Sequence, residues 1–170
     1  MYSIGIDLGG TNIAVGIVDA EYRIVKKESI PTRAKREADA ITADIAALCL
    51  KLMEEAGLSR EDVAFAGMAT PGTANSASVV IEYANNLPFY MYPMCEKLSS
   101  LLGGIKVYIE NDANAAAWGE YRAGQYEADS FLLVTLGTGV GGGIILGGKL
   151  ITGVNNAAGE LGHMTIHMDG

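Results

Sequence analysis

The sequence predicts an α/β protein, a mixed β-sheet with helices packed on it. Short β-branched runs such as "YSIGIDL", "IAVGIV" and "IKVYIEN" have the length and composition of strands. From about Lys35 to Ala56, Ile41, Ile45, Leu48 and Leu52 recur at three- and four-residue intervals, the period of an amphipathic helix. Glycine and proline pairs separate these runs, and 22 glycines against 4 prolines favour tight turns over long linkers.

In chain order, "YSIGIDLGG" reads as a strand ending in a tight turn, and "IAVGIVDAEYRIVKKESI" as two strands joined near Asp19–Tyr22. The helix that follows closes on Gly57 at its C′ position. "VAFAGMAT" is a strand ending at the turn pair Pro71–Gly72. A loop carrying "NNLPF" leads to a helix expected from Met91 to Leu102. "IKVYIEN" is a strand and Ala113 to Ala123 a helix, and "FLLVTLG" with "GGIILGG" makes a glycine-turned hairpin. The chain has 170 residues, enough for one core or for one domain plus part of a second, and the boundary is expected between about Tyr121 and Ser130.

The formal net charge of −8 argues against a nucleic-acid or anionic-membrane partner, because no basic stripe offsets it. Ser130 to Gly148 is a run of 19 residues without a charge, but glycine and threonine divide it, so two strands fit better than a membrane span. No signal peptide is read at the N-terminus, where Asp7 interrupts the first apolar run. Cys49 and Cys95 have no CxxC partner and read as buried small hydrophobes. Together these point to the cytoplasm.

Two stretches, "IDLGGTNIAVGIV" and "VTLGTGVGGGIIL", share a pattern of apolar strand, Leu-Gly, a Gly/Thr turn and a second apolar strand. In the first, Gly9, Gly10, Thr11 and Asn12 put bare backbone N–H groups where a phosphate could approach. Asp7, just before them, suits a hydrated Mg²⁺. In the second, Gly137, Thr138 and Gly139 add a hydroxyl donor, and Gly141 to Gly143 are expected to leave room behind the turn. The bland alternative is a pair of ordinary hairpins. Neither is a Walker A loop, since no GKS or GKT follows.

"IENDANAAAWGE" runs a strand directly into a helix with Asp112 at the junction. A carboxylate so placed can align an acceptor hydroxyl and take its proton during phosphoryl transfer. It could instead simply cap the helix. Glu110, Asn111 and Asn114 supply more polar groups than a cap uses, which favours catalysis. In "AAGELGHM", Glu160 and His163 stand three residues apart on one side of a turn. A carboxylate and an imidazole there could hold neighbouring sugar hydroxyls, and a solvated turn is the alternative. Asn86, on the "NNLPF" loop, is a further polar group whose role spacing alone leaves open.

Together "IGIDLGGTN", "MATPG", "NNLPF", "ENDANAAAWGE", "LGTGVGGGII" and "AGELGHMTI" resemble the ROK family (repressors, open reading frames and kinases) of the actin-like ATPase superfamily. The matches run the length of the chain in the family's order. The resemblance implies the ribonuclease H-like fold, with residues 1–122 as a small lobe and 123–170 as the beginning of a large lobe. It implies an ATP-dependent, Mg²⁺-requiring hexose kinase, glucokinase-like at the 6-hydroxyl of glucose, with Asp112 as the base. N-acetylmannosamine and other hexose kinases share the same motifs. Gly72, Asn86, Asn111, Asp112, Glu160 and His163 would contact the sugar. Asp7, Gly9 to Asn12, and Gly137 to Gly139 would hold the nucleotide phosphates.

The resemblance also implies a homodimer. Family kinases continue past "GHM" into a C-x-C-G-x4-C zinc motif, for which His163 would be the histidine ligand, and no partner cysteine is present here. A chain of this extent is expected to be an N-terminal piece that does not turn over sugar unaided. Two other readings are weaker. A sugar-responsive repressor of the same family would need a reader helix before "DLGGT", and the negative charge opposes it. A non-catalytic nucleotide-binding or filament-forming actin relative would not need "GELGH".

Overall fold

The computed structural model describes residues 1–75, 80–84, 86–137, 139–165 and 167. By packing, the chain divides into two compact units, Met1–Asn111 and Asp112–Gly170. The helix after Asn111 therefore goes with the second unit, whereas the lobe boundary expected from sequence lay after Arg122.

The first unit is built on a five-stranded mixed sheet. β1 (Tyr2–Leu8), β2 (Asn12–Val18) and β3 (Ile24–Pro31) form an antiparallel meander. After α1 (Ala38–Glu55), β4 (Val63–Thr70) returns parallel to β1. Three short strands follow, β5 (Thr73–Asn75), β6 (Val80–Tyr83) and β7 (Tyr90–Tyr92), then α2 (Met94–Leu101) and β8 (Val107–Asn111), which pairs parallel to β4. The order is β3-β2-β1-β4-β8, the mixed sheet with flanking helices expected from sequence. Alternation sets the core face: Ile4, Ile6 and Leu8 of β1 and Ile13, Val15 and Ile17 of β2 are all buried, with the intervening residues turned away. Ile41, Ile45, Leu48 and Leu52 of α1 join the same core, with Cys49 and Cys95. Burial pushes the Cys49 thiol up to about 12 and the Cys95 thiol up to about 11, so both stay neutral.

Helix α1 ends as its sequence predicts. Gly57, at φ +67°, donates its N–H to the Glu54 carbonyl, and Leu58 donates to that of Met53, the two bonds of a Schellman stop. The expectation of a helix from Met91 is corrected: Tyr90–Tyr92 is β7, paired with β6, and the helix starts at Met94. Pro93 accounts for the shift, because its ring disfavours helical backbone at the residue before it. The segment read as a loop from Gly72 onward therefore contains a small antiparallel sheet of order β5-β6-β7.

Burial of isoleucines and leucines, worth roughly 1.5–3 kcal/mol each, outweighs the ion pairs. Arg23–Asp19 at 2.8 Å and Lys51–Glu28 at 2.7 Å are exposed, and such pairs contribute about 0–1 kcal/mol. A polar cluster does join β7 to α1. Tyr92 Oη and Lys97 Nζ each donate to Asp39 Oδ1 at 2.6 Å, and Thr42 Oγ1 lies 2.9 Å from Tyr92 Oη. The Lys97 and Tyr92 bonds hold the Asp39 carboxyl below its ordinary 3.8. A carboxylate depressed on folding stabilises the native state above its unfolded value, and that contribution is lost as pH falls through the folded value. Asp39→Asn is expected to lower the melting temperature at pH 7, with the difference from wild type shrinking as pH falls below 3.8. A difference that persists unchanged into that range would show that the charge is not responsible.

The second unit begins with α3 (Asp112–Ala123) and continues with β9 (Ser130–Leu136), β10 (Val140–Leu146) and β11 (Lys149–Ile151), an antiparallel sheet of order β11-β10-β9. The expected hairpin is present, and β11 is an addition. It is turned back by Gly147 and Gly148 at φ +56° and +69°, values that fit a two-residue hairpin turn. Among the described residues no helix is long and apolar enough to cross a membrane.

Candidate functional site

At the first hairpin, β1 and β2 close on the pair Leu8 and Ile13, leaving Gly9 to Asn12 as the turn. Gly9 donates its N–H to the Asn12 carbonyl at 2.9 Å. Thr32, fully buried just past β3, donates its hydroxyl to the Gly9 carbonyl at 2.6 Å and its N–H to the Thr11 carbonyl at 2.8 Å. Three carbonyls of the turn are thus occupied. Among the described residues the N–H groups of Gly10 and Thr11 have no hydrogen-bond acceptor. A side chain at Gly10 would meet nothing within 4 Å, and its φ is not left-handed, so the fold alone does not require glycine there. Asp7 is exposed on β1, opposite Ala14 of β2. Thr32 escaped sequence reasoning: an isolated threonine at a strand end carries no pattern.

Of the other first-unit candidates, Gly72 has a structural reason to be glycine. Its φ is +86°, and a Cβ there would collide with the Tyr83 carbonyl oxygen and lie 2.9 Å from Ala84 Cα. Asn86 is exposed at φ +61°, a left-handed position that asparagine tolerates. Buried Leu87 and Phe89 anchor the loop behind it. Asn111 ends β8 half-buried, and its N–H donates to Glu110 Oε1 at 3.0 Å.

In the second unit, Asp112 is itself the first residue of α3 and is exposed. Its Oδ1 accepts the Ala113 N–H at 2.8 Å, so one carboxylate oxygen serves the helix terminus. Among the described residues Oδ2 accepts no hydrogen bond, which leaves it available to a ligand.

The second hairpin closes on Leu136 and Val140, with Gly137 donating its N–H to the Gly139 carbonyl at 2.9 Å. Side chains at Gly137 or Gly139 would meet nothing within 4 Å. Thr138 lies outside the described residues. The first turn has four residues and this one three, so the internal repeat is a repeat of hairpins rather than of identical bends.

The expected room behind Gly141 to Gly143 is corrected, because it is filled. A Cβ on Gly143 would run into Ala117 Cβ and come within 2.9 Å of the Ala113 carbonyl oxygen. One on Gly141 would meet Thr135 Oγ1 at 2.6 Å and Ala113 Cβ at 3.1 Å. On the opposite face, a Cβ on Gly142 would meet the Gly159 carbonyl at 2.8 Å and Leu161 Cδ1 at 2.6 Å. The triple glycine lets α3 and the "AGELGH" segment approach β10 from its two faces.

That approach presents the candidate sugar contacts. Gly159 and Gly162 sit against Gly142 and Val140 so closely that any Cβ would strike backbone carbonyls. Glu160 and His163, each one position further along, are exposed on the 3₁₀ turn Leu161–His163 and its leading residue. His163 Nε2 lies 3.7 Å from Glu160 Oε2, so the predicted i, i+3 juxtaposition is formed. Gly159 also lies beside Asn114 in the first turn of α3, because a Cβ on it would come 3.4 Å from Asn114 Oδ1. The segment leading into the Glu160 turn therefore packs against the first turn of α3. Among the described residues no three His, Cys, Asp or Glu side chains converge as a metal site. The two cysteines are buried in the first unit. Among the described residues the zinc implied for His163 has no ligand set.

Glucokinase of Streptomyces coelicolor is 40% identical over 99% of the chain and 51% of its own length. N-acetylmannosamine kinase of Salmonella newport is 34% identical over 96% of the chain and 54% of its length. The crystal structure of a ROK family glucokinase from Streptomyces griseus in complex with glucose and AMPPNP superposes with a TM-score of 0.85 at 38% identity, covering all of this chain and 52% of that one. The chain thus spans about half the length of the relatives it matches. The ROK family pattern matches residues 3–170, and the protein belongs to the ROK family.

Proposed function

We propose that the chain supplies phosphate-holding, sugar-holding and proton-accepting groups for ATP-dependent phosphorylation of a hexose, with the 6-hydroxyl of glucose as the acceptor. The observation that carries this reading is the exposed Asp112 carboxylate, one oxygen tied to its helix and the other available, in the same unit as a turn that holds Glu160 and His163 together and whose leading Gly159 packs beside Asn114 of that helix. In the reaction the sugar oxygen attacks the γ-phosphorus and gives its proton to Asp112, the bond from that phosphorus to the β–γ bridging oxygen breaks, and ADP leaves. Glu160 accepts from sugar hydroxyls and His163 donates to or accepts from one, while Asn86, Asn111 and the Gly72 turn contribute to sugar placement. The N–H groups of Gly10 and Thr11, with the Gly137 and Gly139 turn, hold phosphate oxygens.

Asp7 would hold Mg²⁺ through its water shell, a role open to an exposed carboxylate beside the phosphate turn. Mg²⁺ supplies neutralising charge to the phosphates. A cytoplasmic homodimer without nucleic-acid or membrane partners completes the proposal. N-acetylmannosamine is the alternative acceptor, favoured by the 34% identity to a kinase of that name.

A screen of hexoses with Mg-ATP on the full-length protein, with products read by phosphorus NMR, tests the assignment. Glucose 6-phosphate and ADP in equal amounts are expected. Nucleotide hydrolysis that ignores every sugar would refute the kinase reading, and preference for N-acetylmannosamine would replace the substrate.

A further inference from the structure

The Gly9–Asn12 turn is rich in donors only because its acceptors are consumed. A bare four-residue turn presents carbonyl oxygens as well as N–H groups, and exposed carbonyls repel an anion. Here the Gly9, Thr11 and Asn12 carbonyls all accept hydrogen bonds, at 2.6, 2.8 and 2.9 Å. Thr32 alone supplies two of the three donors, one from its hydroxyl and one from its backbone. It is itself fixed: it is fully buried, its carbonyl accepts from Arg36 Nη2 at 3.0 Å, and that guanidinium bonds Asp44 Oδ2 of α1 at 2.6 Å.

We propose that Thr32 is a positioning residue that makes the Gly9–Asn12 turn an anion site. By engaging the Gly9 and Thr11 carbonyls it removes their repulsion from the face presented to phosphate and holds the Gly10 and Thr11 N–H groups outward. This rests on the phosphate reading of the turn. Thr32 touches no substrate, and its effect passes through the backbone it holds.

The test uses inorganic tripolyphosphate as the probe and the backbone amide NMR signals of Gly10 and Thr11 as the readout. In wild type, both amides shift on titration. Thr32→Val keeps the shape but loses the hydroxyl donor, and is expected to weaken the dissociation constant about tenfold, the scale of one hydrogen bond. Thr32→Ser keeps the donor and is expected to restore wild-type binding, although it loses the same methyl packing as any trimmed side chain. A role in packing alone would reverse that order, with Val binding as wild type and Ser impaired, and would overturn the proposal. Should Thr32→Val fail to fold, Thr32→Cys, whose thiol is a weak donor, takes its place under the same criteria. Failure of the wild-type amides to respond would overturn the phosphate reading of the turn and Thr32's role with it. A wild-type response that Thr32→Val leaves unchanged would overturn the role of Thr32 alone.

Discussion

Asp112→Asn is expected to reduce phosphoryl transfer by the full-length protein about 10²–10⁴-fold, the range for loss of a general base. Asparagine preserves the acceptor for the Ala113 N–H, so α3 should start at the same residue and the fold should be unaffected. What it cannot do is take the proton of the attacking hydroxyl. The loss should fall on kcat, with glucose affinity by calorimetry little changed, because hydrogen bonding to the sugar survives the substitution. Equal loss of affinity and turnover would assign Asp112 a structural or purely binding role.

Gly143→Val is expected to produce the largest loss of stability. A Cβ at this position runs into Ala117 Cβ and lies 2.9 Å from the Ala113 carbonyl and 3.3 Å from Asn114 Cα. These are helix atoms rather than the tip of a flexible side chain, so α3 must move off β10 to make room. Overpacking of this kind costs about 1–3 kcal/mol, and each kcal/mol lowers the melting temperature by about 2–4 °C in a chain of this size. Gly10→Ala, by contrast, should melt as wild type, because its Cβ meets nothing within 4 Å. Its cost should fall on phosphate binding. If Gly143→Val melts as wild type, the close packing of α3 on β10 is wrong.

That contrast marks how far the sequence could be read. Gly10, in "LGGT", and Gly143, in "VGGG", both stand in glycine-rich stretches, and residue type alone could not say which leaves space for a ligand and which admits a helix. The difference lies in what packs behind each strand. The β1–β2 hairpin, α1 and the strand-to-helix step at Asp112 were legible because buried alternation, a helical period and a Schellman glycine are local signals. The β5–β6–β7 sheet was not, since strands of three and four residues are too short to show a period. Glu160 and His163 could be paired by spacing. The packing of their turn beside α3 could not, because it depends on Gly159 docking against Gly142. Thr32 acts across 23 residues of sequence, a separation that no local motif reports.

In the proposed function, Asp112 takes the proton of a hexose hydroxyl and the Gly10 and Thr11 amides hold phosphate. The most direct measurement is a crystal structure of the full-length protein with glucose and AMPPNP bound. An Asp112 oxygen is expected within hydrogen-bond distance of the sugar hydroxyl that faces the terminal phosphate, with the phosphates on the Gly10 and Thr11 N–H groups. A sugar bound away from Asp112, or phosphates that leave those two amides uncontacted, would contradict it.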